Sequence, residues 1–289
     1  MLDLHIHTTA SDGSLTPTQV VQLARKKGFS LIAVTDHDTM GGVAEALEAG
    51  KKYNVDVVPG VEISSGVTLE VHMLGYGMLP DHPVMKAMME DMRAARVERM
   101  ERIIENLQKM GVPITVEEVE AVAGGAIGRP HIAQVLIAHG LVPDVRTAFR
   151  EYIGVGAKAY VERRKMTSEQ VIANIRDAGG VPVLAHGGLL RISEVELNQW
   201  IDSMAKKGLM GLECYHNAHT PQMERLLRAA AERNGLLVTG GSGFLSENRP
   251  PHWPGAVDFY GQEQRISADF LAAATHLNKE KRSFHHDSI

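Results

Sequence analysis

The sequence is poor in three features, and each scarcity excludes a class of protein. It contains a single cysteine, Cys214, so no disulfide forms within the chain and a reducing compartment is expected. No apolar run reaches the roughly 18 residues of a membrane-spanning helix. With 30 basic and 35 acidic residues the formal charge is -5, which disfavours stable binding of bulk nucleic acid.

The first residues also lack the long apolar segment of a signal peptide, because residues 1–10 include acidic and histidine side chains. Together with the missing membrane span, this predicts a soluble, cytoplasmic protein with no membrane partner. The 289 residues suffice for one large barrel or for two domains.

What the sequence does contain is a repeated unit, made of an apolar strand, a loop, a capped helix and a glycine stop. In the first copy, residues 2–6 form the strand and Gly28 ends the helix. Thr16 caps that helix, with Gln19 three residues later as in a capping box. Strands alternating with helices predict a parallel β/α architecture of about seven strands, in which the segment 67–76 pairs antiparallel.

The stretch 81–163 breaks this rhythm and predicts a helical insertion. Apolar residues, many of them methionine, recur at helical spacing from Met85 to Leu107 and are expected to pack in a core rather than to form a flexible binding face. Shorter helices are expected at 116–123, 130–139 and 143–152. The predicted domains are a barrel of residues 1–80 and 164–289 and the insertion 81–163.

Five side chains that can ligate metals follow or end apolar runs near the start of the chain. They are His5, His7, Asp12, His37 and Glu62. Because the strand ends of an α/β barrel converge at one rim, we expect these side chains to share one pocket. Imidazoles and carboxylates are the ligands that hard and borderline divalent metals require. The pattern therefore predicts a metal centre, although a pair of histidines on one strand can also be structural.

Two later histidines extend the pattern, and the whole set resembles a known family. His72 alternates with apolar neighbours in a strand, and His186 directly follows an apolar strand. Together the segments resemble the polymerase-and-histidinol-phosphatase (PHP) metallohydrolases over about residues 1–80 and 165–245. The matching segments are Asp3-Leu-His-Ile-His-Thr8, Ser11-Asp-Gly13, Thr35-Asp-His-Asp-Thr39, Gly60-Val-Glu-Ile-Ser64, His72 and Leu184-Ala-His186.

The resemblance implies a distorted (β/α)7 barrel that holds two or three divalent metals, either Mn²⁺, Fe²⁺ or Zn²⁺. The implied ligand groups are His5, His7 and Glu62; Glu62, His72 and His186; and Asp12 with His37. Metals that share a carboxylate deprotonate water near neutral pH and clamp phosphoryl oxygens, so no side-chain nucleophile is needed.

The final motif departs from the family pattern. The family has Gly-Ser-Asp-x-His, whereas this chain has Gly241-Ser-Gly-Phe-Leu245, so Gly243 and Leu245 replace two ligands. The third metal site keeps only two side chains, and we expect two metals bound firmly and a third weakly or not at all. Side chains that could compensate, or could instead support other ligands, are His216, His219, Glu247 and His252.

Phosphate anchors are expected to be cationic. Arg129 with His131 is the first choice, because arginine grips a phosphate in bidentate fashion and the insertion is expected to lie over the metal rim. Their segment, Gly128-Arg-Pro-His-Ile-Ala133, resembles the branch of the family that acts on nucleotides and small sugar phosphates. Ser11 and Ser64, beside presumed ligands, are further candidates. Weaker candidates, since charged runs more often form solvated surfaces, are Lys158, Arg163 and Arg164.

The sequence therefore predicts a metal-dependent phosphoesterase whose partner is a small phosphorylated substrate. The resemblance suggests a 3′,5′-nucleoside bisphosphate or the 5′ end of a short RNA, with a ribose cyclic phosphate as the alternative substrate. An alternative of another class is a catalytically degenerate barrel that binds a nucleotide or a partner protein. The acidic charge and the lack of a polymerase domain disfavour DNA polymerase proofreading.

Overall fold

A computed structural model of the chain describes residues 1–123, 126–245 and Phe270. The chain forms two compact units. The first comprises Met1–Met88 and the described residues from Met166 onward, and the second comprises Met89–Lys165.

Seven strands in the described part of the first unit form one sheet, in which the spatial order follows the chain. They are β1 (Leu2–Ile6), β2 (Leu31–Val34), β3 (Asp56–Ser65), β4 (Val71–Tyr76), β5 (Val181–Leu184), β6 (Gly211–His216) and β7 (Leu237–Gly241). All neighbouring pairs are parallel except those of β4, which is antiparallel to both β3 and β5. The predicted antiparallel pairing of the segment 67–76 is confirmed.

The sheet nearly closes into a barrel, because the chain after β7 runs beside β1. The amide of His7 donates to the carbonyl of Phe244, and the amide of Gly243 donates to the carbonyl of His5, each at 2.9 Å. Gly241 approaches β1 so closely that a Cβ atom there would lie 2.3 Å from the Cβ of His5. This barrel with inserted helices confirms the predicted fold class.

Nine α-helices lie in the described residues. They are α1 (Pro17–Lys27), α2 (Val43–Tyr53), α3 (Pro83–Lys109), α4 (Val116–Val122), α5 (Arg129–Ala138), α6 (Val145–Ala148), α7 (Ser168–Asp177), α8 (Glu194–Lys206) and α9 (Pro221–Asn234). The capping box of Thr16 and Gln19 begins α1, and Gly28 ends it in the left-handed conformation, as the sequence predicts. None of these helices combines the length and the apolar character needed to cross a membrane.

The second unit has a core of its own, which α3 dominates. Met100, Ile103, Ile104 and Leu107 are buried there with apolar side chains of α4 and α5. The methionines of α3 that lie in the first unit, Met85 and Met88, are buried as well. These methionines are therefore packing residues, as their helical spacing indicates.

Candidate metal centre

Glu62 on β3 is the centre of the site, and its carboxylate is almost fully buried. Its Oε1 atom lies 2.8 Å from Nδ1 of His72 on the neighbouring strand β4. The same oxygen lies 2.8 Å from Nε2 of His186, which directly follows β5. One carboxylate oxygen thus contacts a side chain on β4 and a side chain two residues after β5, which are far apart in the sequence.

The second oxygen of Glu62 faces three more imidazoles. Its Oε2 atom lies 3.2 Å from Nε2 of His5, 3.4 Å from Nε2 of His7 and 3.0 Å from Nδ1 of His37. His5 and His7 point to the same side of the chain because side chains two residues apart in an extended segment share a face. His37 reaches the site because it follows β2, beside the end of β1.

The hydrogen bonding within this group is incomplete, although the group is buried. Glu62 Oε2, His7 Nδ1 and His37 Nδ1 are inaccessible to solvent and make no hydrogen bond of good geometry in the described structure. Buried polar atoms without partners are costly and call for an explanation. A divalent cation supplies one, because imidazole nitrogens and carboxylate oxygens are its ordinary ligands.

Three groups of side chains in the described residues bring their ligand atoms within 4.8 Å of one another. The groups are His5, Glu62 and His186; His7, His37 and Glu62; and His5, Glu213 and His216. The first two share Glu62, so the residues fit a pair of cations bridged by this carboxylate.

Asp12 stands apart from these groups. Its Oδ1 atom lies 4.0 Å from Nδ1 of His7, and about a quarter of its side chain is exposed. Within the described residues the structure groups His37 with His7 and Glu62. The predicted ligand pair of Asp12 and His37 therefore stays a prediction.

The histidines around Glu62 differ in whether their pKa is raised by its negative charge or lowered by burial. Burial favours the neutral ring of His72, but the carboxylate of Glu62 outweighs burial and raises the pKa of His72 to about 9. The carboxylates of Glu213 and Glu62 likewise overcome burial at His5 and raise its pKa well above the ordinary value. At His37 burial prevails and lowers the pKa to about 4. The group thus carries protons that a metal must displace.

The two serines predicted to bind phosphate donate to buried aspartates. Ser11 Oγ lies 2.6 Å from Asp36 Oδ1, and Asp36 also accepts from the amide and hydroxyl of Thr8. Asp38 accepts from the amide of Ser64 at 2.8 Å and from its hydroxyl at 3.4 Å. Both aspartates flank His37, but no pattern in the sequence marks them as acceptors for these serines. Phosphate binding by either serine remains a prediction.

The structure distinguishes the two histidines proposed to compensate for missing ligands. His219 is engaged on both sides, since its Nδ1 bonds to the carbonyl of Cys214 and its Nε2 accepts from the amide of Gly188. His216 belongs to one of the three ligand groups, with His5 and Glu213, and its Nε2 atom is 2.9 Å from the place that a Cβ atom on Gly243 would take. The other two proposed residues, Glu247 and His252, lie outside the described residues.

The predicted phosphate anchors lie in the second unit, at the start of α5. Arg129 donates to the carbonyl of Ile153, and its guanidinium lies 5.2 Å from the ring centre of Phe149. His131 is buried, and its Nδ1 accepts from the amide of Gly128 at 3.1 Å. The role of both side chains in binding phosphate stays a prediction.

A further acidic residue of the site, Glu213, was missed by the sequence analysis. It lies on β6 and is buried, with Oε1 2.9 Å from Nδ1 of His5. Its Oε2 atom accepts from the backbone amide of His186 at 2.7 Å. The signal in the sequence is a lone glutamate within the apolar strand Gly-Leu-Glu-Cys, where an acidic residue needs a partner.

Comparison with known proteins agrees with this geometry. The sequence profile of the PHP domain matches residues 3–164, which is more than half of the chain. The chain belongs to the PHP family. This PHP protein is therefore a metal-dependent phosphoesterase, as predicted.

Several PHP relatives align with most of the chain. A 3′,5′-nucleoside bisphosphate phosphatase of Chromobacterium violaceum is 32% identical over 84% of this chain and 86% of its own length. The 5′-3′ exoribonuclease Rnm of Escherichia coli is 33% identical over 87% and 86%. A phosphoribosyl 1,2-cyclic phosphate 1,2-diphosphodiesterase of Eggerthella lenta is 29% identical over 86% and 96%.

A solved structure shows the same fold. It is that of a Bifidobacterium adolescentis protein, provisionally described as a metal-dependent phosphoesterase. It is 34% identical to this chain, covers 94% of this chain and 96% of its own, and superposes with a TM-score of 0.82.

Proposed function

We propose that this PHP protein hydrolyses a phosphate ester of a small nucleotide, with a 3′,5′-nucleoside bisphosphate as its first substrate. The observation that carries the proposal is the pair of ligand groups that share Glu62. A relative that aligns with most of the chain bears that activity in its name. The acidic net charge of -5 favours a small substrate over a long nucleic acid.

Two divalent cations, Mn²⁺, Fe²⁺ or Zn²⁺, are the proposed cofactors. Glu62 would lie between them, and the imidazoles that would hold them are His5, His7, His37, His72 and His186. When bound, such cations lower the pKa of a water molecule toward neutrality and neutralise charge on a phosphoryl group. A third cation is expected to bind weakly or not at all, because Leu245 replaces the histidine that completes its site in the family pattern and leaves only Asp12 and His37 there.

The remaining side chains of the site orient groups rather than attack the substrate. Asp36 and Asp38 fix Ser11 and Ser64 beside the presumed ligands. Arg129 is proposed to bind a phosphate of the substrate, because its planar guanidinium matches two phosphate oxygens. None of these roles requires a covalent intermediate on the protein.

A direct comparison of three substrates with the manganese-loaded protein tests the proposal. We expect a 3′,5′-nucleoside bisphosphate to be hydrolysed with a higher kcat/KM than a short 5′-phosphorylated RNA or a ribose 1,2-cyclic phosphate. Glu62→Gln is the control variant, since it keeps the size of the side chain and removes the shared charge. Absence of turnover on all three substrates would refute the proposal.

Cleavage of a cyclic sugar phosphate is the second candidate. Gly243 and Leu245 favour it, because we expect two changed ligand positions to alter the number of bound metals and the shape of the pocket. A kcat/KM that is highest for the cyclic phosphate would establish this candidate instead. Metal-independent nucleotide binding without hydrolysis would indicate a degenerate binding protein.

A cytoplasmic location is also proposed. Its support is the single cysteine: Cys214 is buried, and burial raises the pKa of its thiol, so it is not suited to disulfide chemistry. A fusion to a fluorescent protein, followed by fractionation, would test this location.

A further inference from the structure

We propose that Glu213 is a positioning residue that fixes two of the metal ligands, His5 and His186, in their binding geometry. Glu213 lies in the middle of β6, and its side chain is completely buried. Each of its two carboxylate oxygens is committed to a different ligand residue. The proposal rests on the metal centre proposed above.

The first oxygen sets the tautomer of His5. Nδ1 of His5 lies 2.9 Å from Oε1 of Glu213. An ionised carboxylate only accepts hydrogen bonds, so Nδ1 carries the proton and donates a hydrogen bond to Glu213. A neutral imidazole with its proton on Nδ1 keeps a lone pair on Nε2. That nitrogen faces Oε2 of Glu62 at 3.2 Å, which is the side on which the cation is proposed. A carboxylate behind a ligating histidine also increases the basicity of the ligand.

The second oxygen fixes the backbone of His186. The amide of His186 donates to Oε2 of Glu213 at 2.7 Å. His186 has φ 28° and ψ 54°, a left-handed conformation that residues other than glycine rarely adopt. The hydrogen bond to Glu213 helps to hold this conformation, which places Nε2 of His186 2.8 Å from Oε1 of Glu62.

Glu213 could instead ligate a metal together with His5 and His216, since their ligand atoms lie within 4.8 Å of one another. Two contacts argue against this role. His5 presents Nδ1 to Glu213, so its other nitrogen is the one available to the Glu62 centre. His216 accepts a hydrogen bond at Nδ1 from the amide of Ala218, so its proton lies on Nε2 and blocks ligation there.

Glu213→Gln tests the proposal sharply because the two side chains have the same shape. The His5 ring and the His186 amide both donate, and the glutamine amide offers an oxygen to only one of them. If its NH₂ group faces His5, the ring must accept at Nδ1 and carry its proton on Nε2, where it cannot bind a metal. We expect the affinity for Mn²⁺, measured by isothermal titration, to fall about 10- to 100-fold.

Asp3→Asn is the matched control. Asp3 is also a buried carboxylate next to His5, but it bonds to the backbone amide of His5 and to Ser242 rather than to the ring. We expect this variant to keep the manganese affinity of the wild type within about threefold, a range below the loss seen when the partner of a ligating histidine is removed. Equal losses in both variants, or no loss in Glu213→Gln, would overturn the proposal.

A measurement on the unaltered protein keeps the proposal falsifiable if Glu213→Gln does not fold. In zinc-loaded protein with ¹⁵N-labelled histidine, the His5 ring should show a protonated Nδ1 and a metal-bound Nε2. Binding of the metal to Nδ1 of His5 would overturn only the proposed role of Glu213. Failure of the wild type to bind any metal would refute the proposed metal centre itself, so the two outcomes are distinguishable.

Discussion

The affinity of the Glu62 centre for metal should rise steeply between pH 7 and pH 9. A histidine binds a cation only as the neutral ring, and the pKa of His72 is raised to about 9 by Glu62 despite burial. At pH 7 its charged form then exceeds the neutral form by about 100 to 1. Displacing that proton weakens binding by the same factor, or about 3 kcal/mol.

The sign of the effect follows from the direction of the pKa shift. Raising the pH from 7 to 8 should strengthen binding about tenfold through His72 alone, and the gain should level off above pH 9. His5, whose pKa is also raised, makes the slope steeper. His37 contributes nothing in this range, because burial lowers its pKa to about 4 and it is already neutral.

Isothermal titration with Mn²⁺ in buffers of different ionisation enthalpy measures the released protons directly. We expect more than one proton per centre at pH 7. His72→Gln should release fewer protons, whereas His37→Gln, the matched control, should weaken binding without changing proton release. An affinity that is constant from pH 7 to pH 9, with equal heats in all buffers, would refute the reasoning.

Three substitutions test other parts of the account. Gly243→Asp should not increase the number of bound metals, as counted by elemental analysis, because its Cβ atom would lie 2.9 Å from Nε2 of His216 and its φ of 61° is one that side chains rarely adopt. Gly241→Ala should lower the free energy of unfolding by about 2 kcal/mol or more, because its Cβ atom would overlap β1; an unchanged denaturation midpoint would contradict this. Arg129→Ala should lower kcat/KM about 10-fold or more, the scale of a lost charge-assisted contact. Arg93→Ala is its control, because Arg93 is an exposed arginine that pairs with Glu90 and has no proposed role in the site.

The architecture was predictable because its signals are local. The capping box at Thr16 and Gln19 and the glycine stop at Gly28 mark the first helix by rules that involve only neighbouring residues. The convergence of His5 and Glu62 was also predictable, since strand ends of a β/α barrel meet at one rim.

The hydrogen bonds that support the metal-binding side chains were not predictable. They depend on how side chains from segments far apart in the sequence are oriented toward one another. Glu213 meets His5 across 208 positions of sequence, and no local pattern marks that pairing. Ser11 and Ser64 stand beside presumed ligands in the sequence, but the hydrogen bonds from their hydroxyls to Asp36 and Asp38 join separate segments of the chain. The difference between His216 and His219 likewise emerges only from the contacts of each ring nitrogen.

The most direct test of the central claim is an anomalous-scattering map of crystals grown with excess manganese. The account predicts two strong peaks next to the carboxylate of Glu62, one near His5, His72 and His186 and one near His7 and His37. A map without a peak beside Glu62 would contradict the account.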